Sequence, residues 1–82
     1  MVHGQVQGVF YRDSCRTEAR RLGIAGFVRN LDDGTVEAVF EGDPDGVGAM
    51  LDWAHTGPQR ARVSRVEVND EEPEGVTDFQ VR

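Results

Sequence analysis

The sequence contains no lysine, one cysteine and no long apolar run. Because a single cysteine cannot form an internal disulfide, Cys15 suits a reducing compartment. No stretch approaches the roughly 20 apolar residues that a membrane-spanning helix needs. The start of the chain, Met1-Val2-His3-Gly4, lacks the basic and apolar regions of a signal peptide. These absences predict a cytoplasmic protein without a membrane partner.

Positive charge is also scarce, since 15 acidic residues outnumber nine arginines and the formal net charge is −6. Such a surface repels nucleic acids and anionic membranes at long range, so neither is expected as a partner. A small anionic substrate would need local positive charge to attract it. Arginines are concentrated in one segment that could supply this charge, at Arg12, Arg16, Arg20 and Arg21.

A glycine-rich stretch, Gly4-Gln5-Val6-Gln7-Gly8-Val9-Phe10-Tyr11-Arg12, is the most informative part of the sequence. Glycines allow sharp turns and close approach of a ligand to the backbone. Successive amides in such a turn form an anion site, and a helix that begins directly afterwards adds its unpaired N–H groups. Arg12 adds a planar guanidinium that can bind two phosphate oxygens. The pattern predicts a phosphate-binding loop.

The remaining sequence predicts a short series of strands and helices. A strand should cover Val2 to Val6, and apolar spacing predicts a helix over residues 12–22 that Gly23 ends. The sequence then predicts a strand at 25–30, a hairpin turn at Asp32-Asp33-Gly34 and a strand at 35–41. A helix capped by Asp43 should follow and run to Thr56. The last two predicted strands are one that contains Val66 and Val68, with Val63 in a bend before it, and one at 79–81.

This order predicts an α+β, ferredoxin-like β-α-β-β-α-β fold in a single domain over residues 1–82. One mixed sheet, mainly antiparallel, should carry both helices on one face, and the short terminal strand should be added to it. A right-handed crossover makes the first two strands parallel, so their carboxyl ends should share one edge of the sheet. Arg12 follows the first of these ends and Asn30 closes the second. We therefore expect the two side chains to lie close together.

Two long segments resemble the signatures of the acylphosphatase family. The first is Val2 to Arg12; the second is Gly26-Phe27-Val28-Arg29-Asn30, followed by Gly34, Val36 and Gly42. The segment Trp53 to Pro58, with Ala61-Arg62-Val63 after it, is similar to the second half of the family pattern. The resemblance covers nearly the whole chain, and two ordered signatures are far more specific than one glycine-rich motif.

The resemblance implies hydrolysis of the mixed anhydride between a carboxylate and phosphate, without a metal, a cofactor or a phosphoenzyme. It implies that phosphate binds the loop formed by Gln7, Gly8, Val9, Phe10, Tyr11 and Arg12. Arg12 would hold the phosphoryl group and Asn30 would orient the attacking water. The partners implied are a small acyl phosphate and its product, inorganic phosphate. We also expect the protein to be a monomer. Tyr11 stands where the signature usually has phenylalanine, and we expect its hydroxyl to meet water or a surface group.

Four other functions compete with this interpretation. Cys15 and Arg21 have the C-x5-R spacing of cysteine phosphatases. However, the residues between them are typical of a helix rather than of a loop whose amides bind phosphate, and Cys15 falls on the apolar face of that helix. The same loop could bind phosphate without hydrolysis. The fold could instead serve as an interaction domain. RNA binding is weaker still, because it would require exposed sheet aromatics in a basic setting.

Overall fold

A computed structural model describes residues 1–70 and 72–82. These residues form five strands and two helices in the predicted order. The elements are β1 (Val2–Gln5), α1 (Tyr11–Leu22), β2 (Ala25–Asn30), β3 (Val36–Glu41), α2 (Pro44–Thr56), β4 (Arg62–Val66) and β5 (Phe79–Val81).

The strands form one mixed sheet in the order β4-β1-β3-β2-β5. β3 pairs antiparallel with both β1 and β2, so β1 and β2 run in the same direction. β5 pairs parallel with β2. The carboxyl ends of β1, β2 and β5 therefore lie at one edge of the sheet, together with the start of β3. The ferredoxin-like α+β prediction is confirmed.

The start of α2 and the end of α1 lie where local chemistry predicts. The Asp43 side chain caps α2 by accepting a 2.8 Å hydrogen bond from the Gly46 amide, and Pro44 occupies the first helical turn. Gly23 closes α1 in the left-handed conformation. α1 and α2 contact each other as well as the sheet, and neither is long and apolar enough to cross a membrane.

The core lies between the sheet and the helices. Its largest fully buried side chains are Tyr11, Phe79, Met50, Val2, Val6, Val28, Val36 and Cys15. The Tyr11 hydroxyl donates a 2.8 Å hydrogen bond to the Ala54 carbonyl, and its ring lies 5.1 Å from that of Trp53. The expectation that this hydroxyl would meet water or a surface group was wrong, because Tyr11 is 2% exposed and joins α1 to α2.

The prediction for β4 was wrong in part: Val66 belongs to the strand as expected, but Val63 and Val68 lie elsewhere than predicted. Val63 lies inside the strand, whereas Val68 lies beyond its end and is 54% exposed. Val63 can lie inside the strand because of a β-bulge: His3 pairs with Arg65 but Gly4 pairs with Val63, which leaves Ser64 as an extra residue. Val63 and Val66 can then both pack against the core although they are three positions apart. Strict alternation could not reveal this irregularity.

Candidate active site

The glycine-rich loop connects β1 to α1 through two left-handed residues. Gly8 has φ 73°, and Phe10, the residue before the helix, has φ 62° and ψ 23°. No side chain caps the helix start, and Ser14 is the first residue whose amide bonds back, to the Phe10 carbonyl at 3.0 Å. Across the described chain, no backbone or side-chain acceptor forms a hydrogen bond with the amides of residues 8–13. The loop therefore presents a run of free N–H groups at the positive end of a helix.

Arg12 is half-buried at the start of α1 and points its guanidinium toward the end of β5. Nη1 lies 3.4 Å from the main-chain oxygen of Arg82. Arg20 pairs with Asp78 at 3.0 Å, whereas no Asp or Glu side chain pairs with Arg12 among the described residues. A cation beside the positive end of a helix is electrostatically unfavourable on its own. An anion bound between Arg12 and the amides would remove that conflict.

Gln7 joins the loop to the turn between β2 and β3. Its Nε2 donates to the carbonyls of Leu31, at 2.8 Å, and Thr35, at 2.9 Å. Leu31 directly follows Asn30, so this side chain sets the position of the loop relative to the end of β2. Sequence reasoning assigned only the Gln7 backbone amide to the site and missed this tether. Its partners are carbonyl oxygens far along the chain, which leave no signal in the sequence.

Asn30 is the last residue of β2 and pairs with Val36 of β3. Its Oδ1 is buried and is the only such side-chain polar atom without a partner in the described part of the chain. A buried carbonyl oxygen without a hydrogen bond costs free energy and needs an explanation. A water or a ligand hydroxyl at this position would satisfy it.

The predicted site residues therefore collect along one edge of the sheet. Gln7 contacts the residue next to Asn30, and Arg12 contacts Arg82, whose amide donates to the Val28 carbonyl of β2 at 2.8 Å. No hydrogen bond joins Arg12 directly to Asn30 within residues 1–70 and 72–82. The contact with Arg82 is a second feature that sequence reasoning missed, since it follows from the parallel pairing of β5 with β2.

The geometry excludes the cysteine phosphatase alternative. Cys15 is 0% exposed on the inner face of α1, and burial raises the pKa of its thiol to about 12. Such a thiol stays protonated and does not act as a nucleophile. Arg21, which the motif would require, is bound to Glu18 on the helix surface. Nowhere in the described residues do three or more His, Cys, Asp or Glu side chains form a group that could hold a metal ion.

The fold and the site define a small α+β protein of the ferredoxin-like class. At the carboxyl edge of its sheet lie a run of amides and an arginine that has no Asp or Glu partner in the part of the chain that the structure describes. The family model for acylphosphatases matches residues 1–81. The acylphosphatase of Thermococcus kodakarensis is 61% identical over 80 residues, which cover 98% of this chain and 88% of that relative. The chain therefore belongs to the acylphosphatase family and is a hydrolase.

Solved structures give the same result. The structure of an acylphosphatase from Coxiella burnetii matches with a TM-score of 0.94 and 42% identity, over 99% of this chain and 85% of the other. The acylphosphatase from Bacillus subtilis also matches with a TM-score of 0.94, at 32% identity, over 99% of this chain and 91% of the other. The likeness thus extends over the sheet, both helices and the loop.

Proposed function

We propose that this protein hydrolyses the carboxyl–phosphate anhydride of small acyl phosphates to a carboxylate and inorganic phosphate, without a metal ion. The observation that carries the proposal is the arrangement at one edge of the sheet. The loop amides and Arg12, which has no Asp or Glu partner in residues 1–70 and 72–82, can hold an anion there. The buried Oδ1 of Asn30, which has no hydrogen-bond partner in the same residues, can hold a water. Family membership adds independent support.

The loop and Arg12 bind the phosphoryl group. The amides of Gln7, Gly8, Val9, Phe10, Tyr11 and Arg12 donate to its oxygens, and the guanidinium donates through its planar fork. In phosphoryl transfer, catalysis depends mainly on positioning and on charge stabilisation of the transferred group. Donors fixed before the reaction begins are especially effective, because they need no reorganisation as charge develops.

Asn30 orients the water. Its Oδ1 accepts one hydrogen of the water, which directs a lone pair on the water oxygen toward phosphorus. The new bond forms between water and phosphorus while the bond from phosphorus to the bridging oxygen breaks, and the electron pair leaves with the carboxylate. Both water protons remain on phosphate oxygens, so an acyl phosphate dianion gives a carboxylate and dihydrogen phosphate. Because a carboxylate is a weak base, with a pKa of about 4 for its acid, it needs no general acid to leave.

Hydrolysis of benzoyl phosphate tests this proposal, with inorganic phosphate added as a competitor. Arg12→Ala is expected to lower kcat/KM by about 10²- to 10³-fold and to abolish competition by phosphate. Asn30→Ala is expected to lower kcat by about 10²-fold while phosphate still competes. Arg21→Ala and Asn69→Ala make the same chemical changes away from the site and should retain wild-type turnover.

Three outcomes would contradict the assignment. Full turnover by Asn30→Ala would remove the proposed role of its carboxamide. A wild-type protein that binds phosphate but turns over no acyl phosphate would favour a phosphate-binding module without catalytic activity. A melting temperature that does not respond to phosphate would favour an interaction domain.

We also propose a domain organisation, an oligomeric state and a location for the protein. A single domain over residues 1–82, monomeric and cytoplasmic, would contain the whole site. Within the described chain only Phe10 and Val68 are large exposed apolar residues, which supports a monomer. The one cysteine is buried, which suits a reducing compartment. Sedimentation analysis of the purified protein tests the monomer.

A further inference from the structure

Phe10 combines two unfavourable properties that nothing else in the fold explains. It is the only residue other than glycine with a positive φ in the described structure, and its side chain is 64% exposed. Left-handed backbone is disfavoured for a bulky residue, and glycine would adopt it without strain. Its ring forms no aromatic pair with any other ring in residues 1–70 and 72–82.

The neighbouring apolar residues behave differently. Val6 and Tyr11 are buried in the core, and Val9 packs against it. Phe10 is thus the one apolar side chain of the loop that the fold leaves in solvent. Non-glycine residues held in sparsely populated backbone regions concentrate at ligand-binding sites.

We propose that the Phe10 ring contacts the acyl group of the substrate and makes the enzyme favour aromatic acyl phosphates over acetyl phosphate. This inference rests on the proposed function, in which the Phe10 amide binds the phosphoryl group. The N–Cα bond is only about 1.5 Å long, so the side chain of that residue begins close to the bound phosphate. The acyl carbon is joined to phosphorus through one oxygen, which places the acyl group at the same open mouth of the loop. An aromatic acyl group can then stack on the exposed ring.

The test compares kcat/KM for benzoyl phosphate with kcat/KM for acetyl phosphate. In Phe10→Asn the ratio is expected to fall about fivefold, because that is the typical effect of losing a partly exposed contact between two aromatic rings. Asparagine tolerates the left-handed conformation, so the loop can keep its shape. Phe10→Tyr should keep the wild-type ratio because it retains the ring. Val68→Asn removes the other large exposed apolar side chain, at the opposite edge of the sheet, and should also keep it.

An unchanged ratio in Phe10→Asn overturns the proposal, including the case in which both substrates lose activity equally. Phe10→Gly provides the same comparison if the asparagine variant does not fold. Inhibition by benzoylmethylphosphonate and acetonylphosphonate, two unreactive analogues, checks that the ratio reflects binding of the acyl group. A wild type that hydrolyses neither substrate would refute the proposed function itself, whereas an active wild type with a ratio insensitive to Phe10 refutes only this inference.

Discussion

The carboxamide nitrogen of Gln7 lies 2.8 Å from the main-chain oxygen of Leu31, although 24 residues separate them in the sequence. The same nitrogen gives its second hydrogen to Thr35. One side chain thus holds the anion-binding loop against the turn that follows Asn30. The distance between the phosphate and the water in the proposed reaction depends on this tether.

Gln7→Glu should weaken both the fold and the reaction. The glutamate has the same shape but no N–H groups, so the carboxylate oxygen that replaces Nε2 would face both carbonyl oxygens. We expect the free energy of unfolding to fall by about 2 kcal/mol and kcat for benzoyl phosphate to fall about 10- to 100-fold. Urea denaturation and steady-state kinetics measure the two effects. Gln5→Glu makes the same change at an exposed position of β1 and serves as the control; equal losses in both variants would refute the tether.

Alanine substitutions at two glycines should have opposite effects on stability. At Gly26, where φ is 138°, an added Cβ would lie 1.8 Å from the Val39 carbonyl oxygen, so Gly26→Ala should destabilise by more than about 2 kcal/mol. At Gly48, within α2, nothing lies within 4 Å of the added Cβ. Gly48→Ala should therefore stabilise by about 0.5 to 1 kcal/mol. A stable Gly26→Ala in urea denaturation would show that β2 and β3 are not in this register.

The helix cap at Asp43 should contribute to the stability of the fold. Its side chain accepts from the Gly46 amide, which otherwise has no partner inside the helix. Asp43→Ala should lower the free energy of unfolding by about 1 kcal/mol. Asp45→Ala removes a carboxylate of the same first turn that makes no such bond, and its loss should be only about 0.3 kcal/mol. Thermal denaturation of the two variants distinguishes a hydrogen-bonded cap from a general charge effect.

Stability at alkaline pH should depend on Cys15. Burial raises the pKa of its thiol from 9.0 to about 12, so between these values the unfolded chain releases a proton that the folded chain retains. Stability is therefore full below about pH 9 and falls as pH rises, by about 1.4 kcal/mol per pH unit. Burial likewise raises the pKa of Tyr11, which adds a second loss above pH 10.

Cys15→Ala should be less stable than wild type at pH 7 by about 1 kcal/mol, because it leaves a small cavity. The wild type should then lose this advantage as pH rises from 9 toward 12. Urea denaturation at each pH gives the two curves. Parallel curves would mean that Cys15 titrates with an ordinary pKa and is less buried than the structure shows.

Much of the fold could be predicted from the sequence because its signals are local. The apolar spacing of Tyr11, Cys15 and Ala19 predicted α1, and Asp43-Pro44 predicted the start of α2. The bulge at Ser64 could not be predicted, since it depends on how β4 pairs with β1. The buried bond of Tyr11 to Ala54 was likewise missed, because it needs α1 and α2 side by side.

For the site, the sequence by itself determined which groups are available: a glycine-rich loop, an arginine at a helix start and an asparagine at a strand end. Spacing and residue type suffice for this, because turns, caps and helix starts are set by neighbouring residues. Only the tertiary structure decided that Gln7 holds the loop beside Asn30 and that Arg12 contacts the end of β5. It also decided that the Asn30 oxygen is buried with no hydrogen-bond partner among the described residues. These features depend on strand order and register, which arise from packing between distant segments and leave no local pattern in the chain.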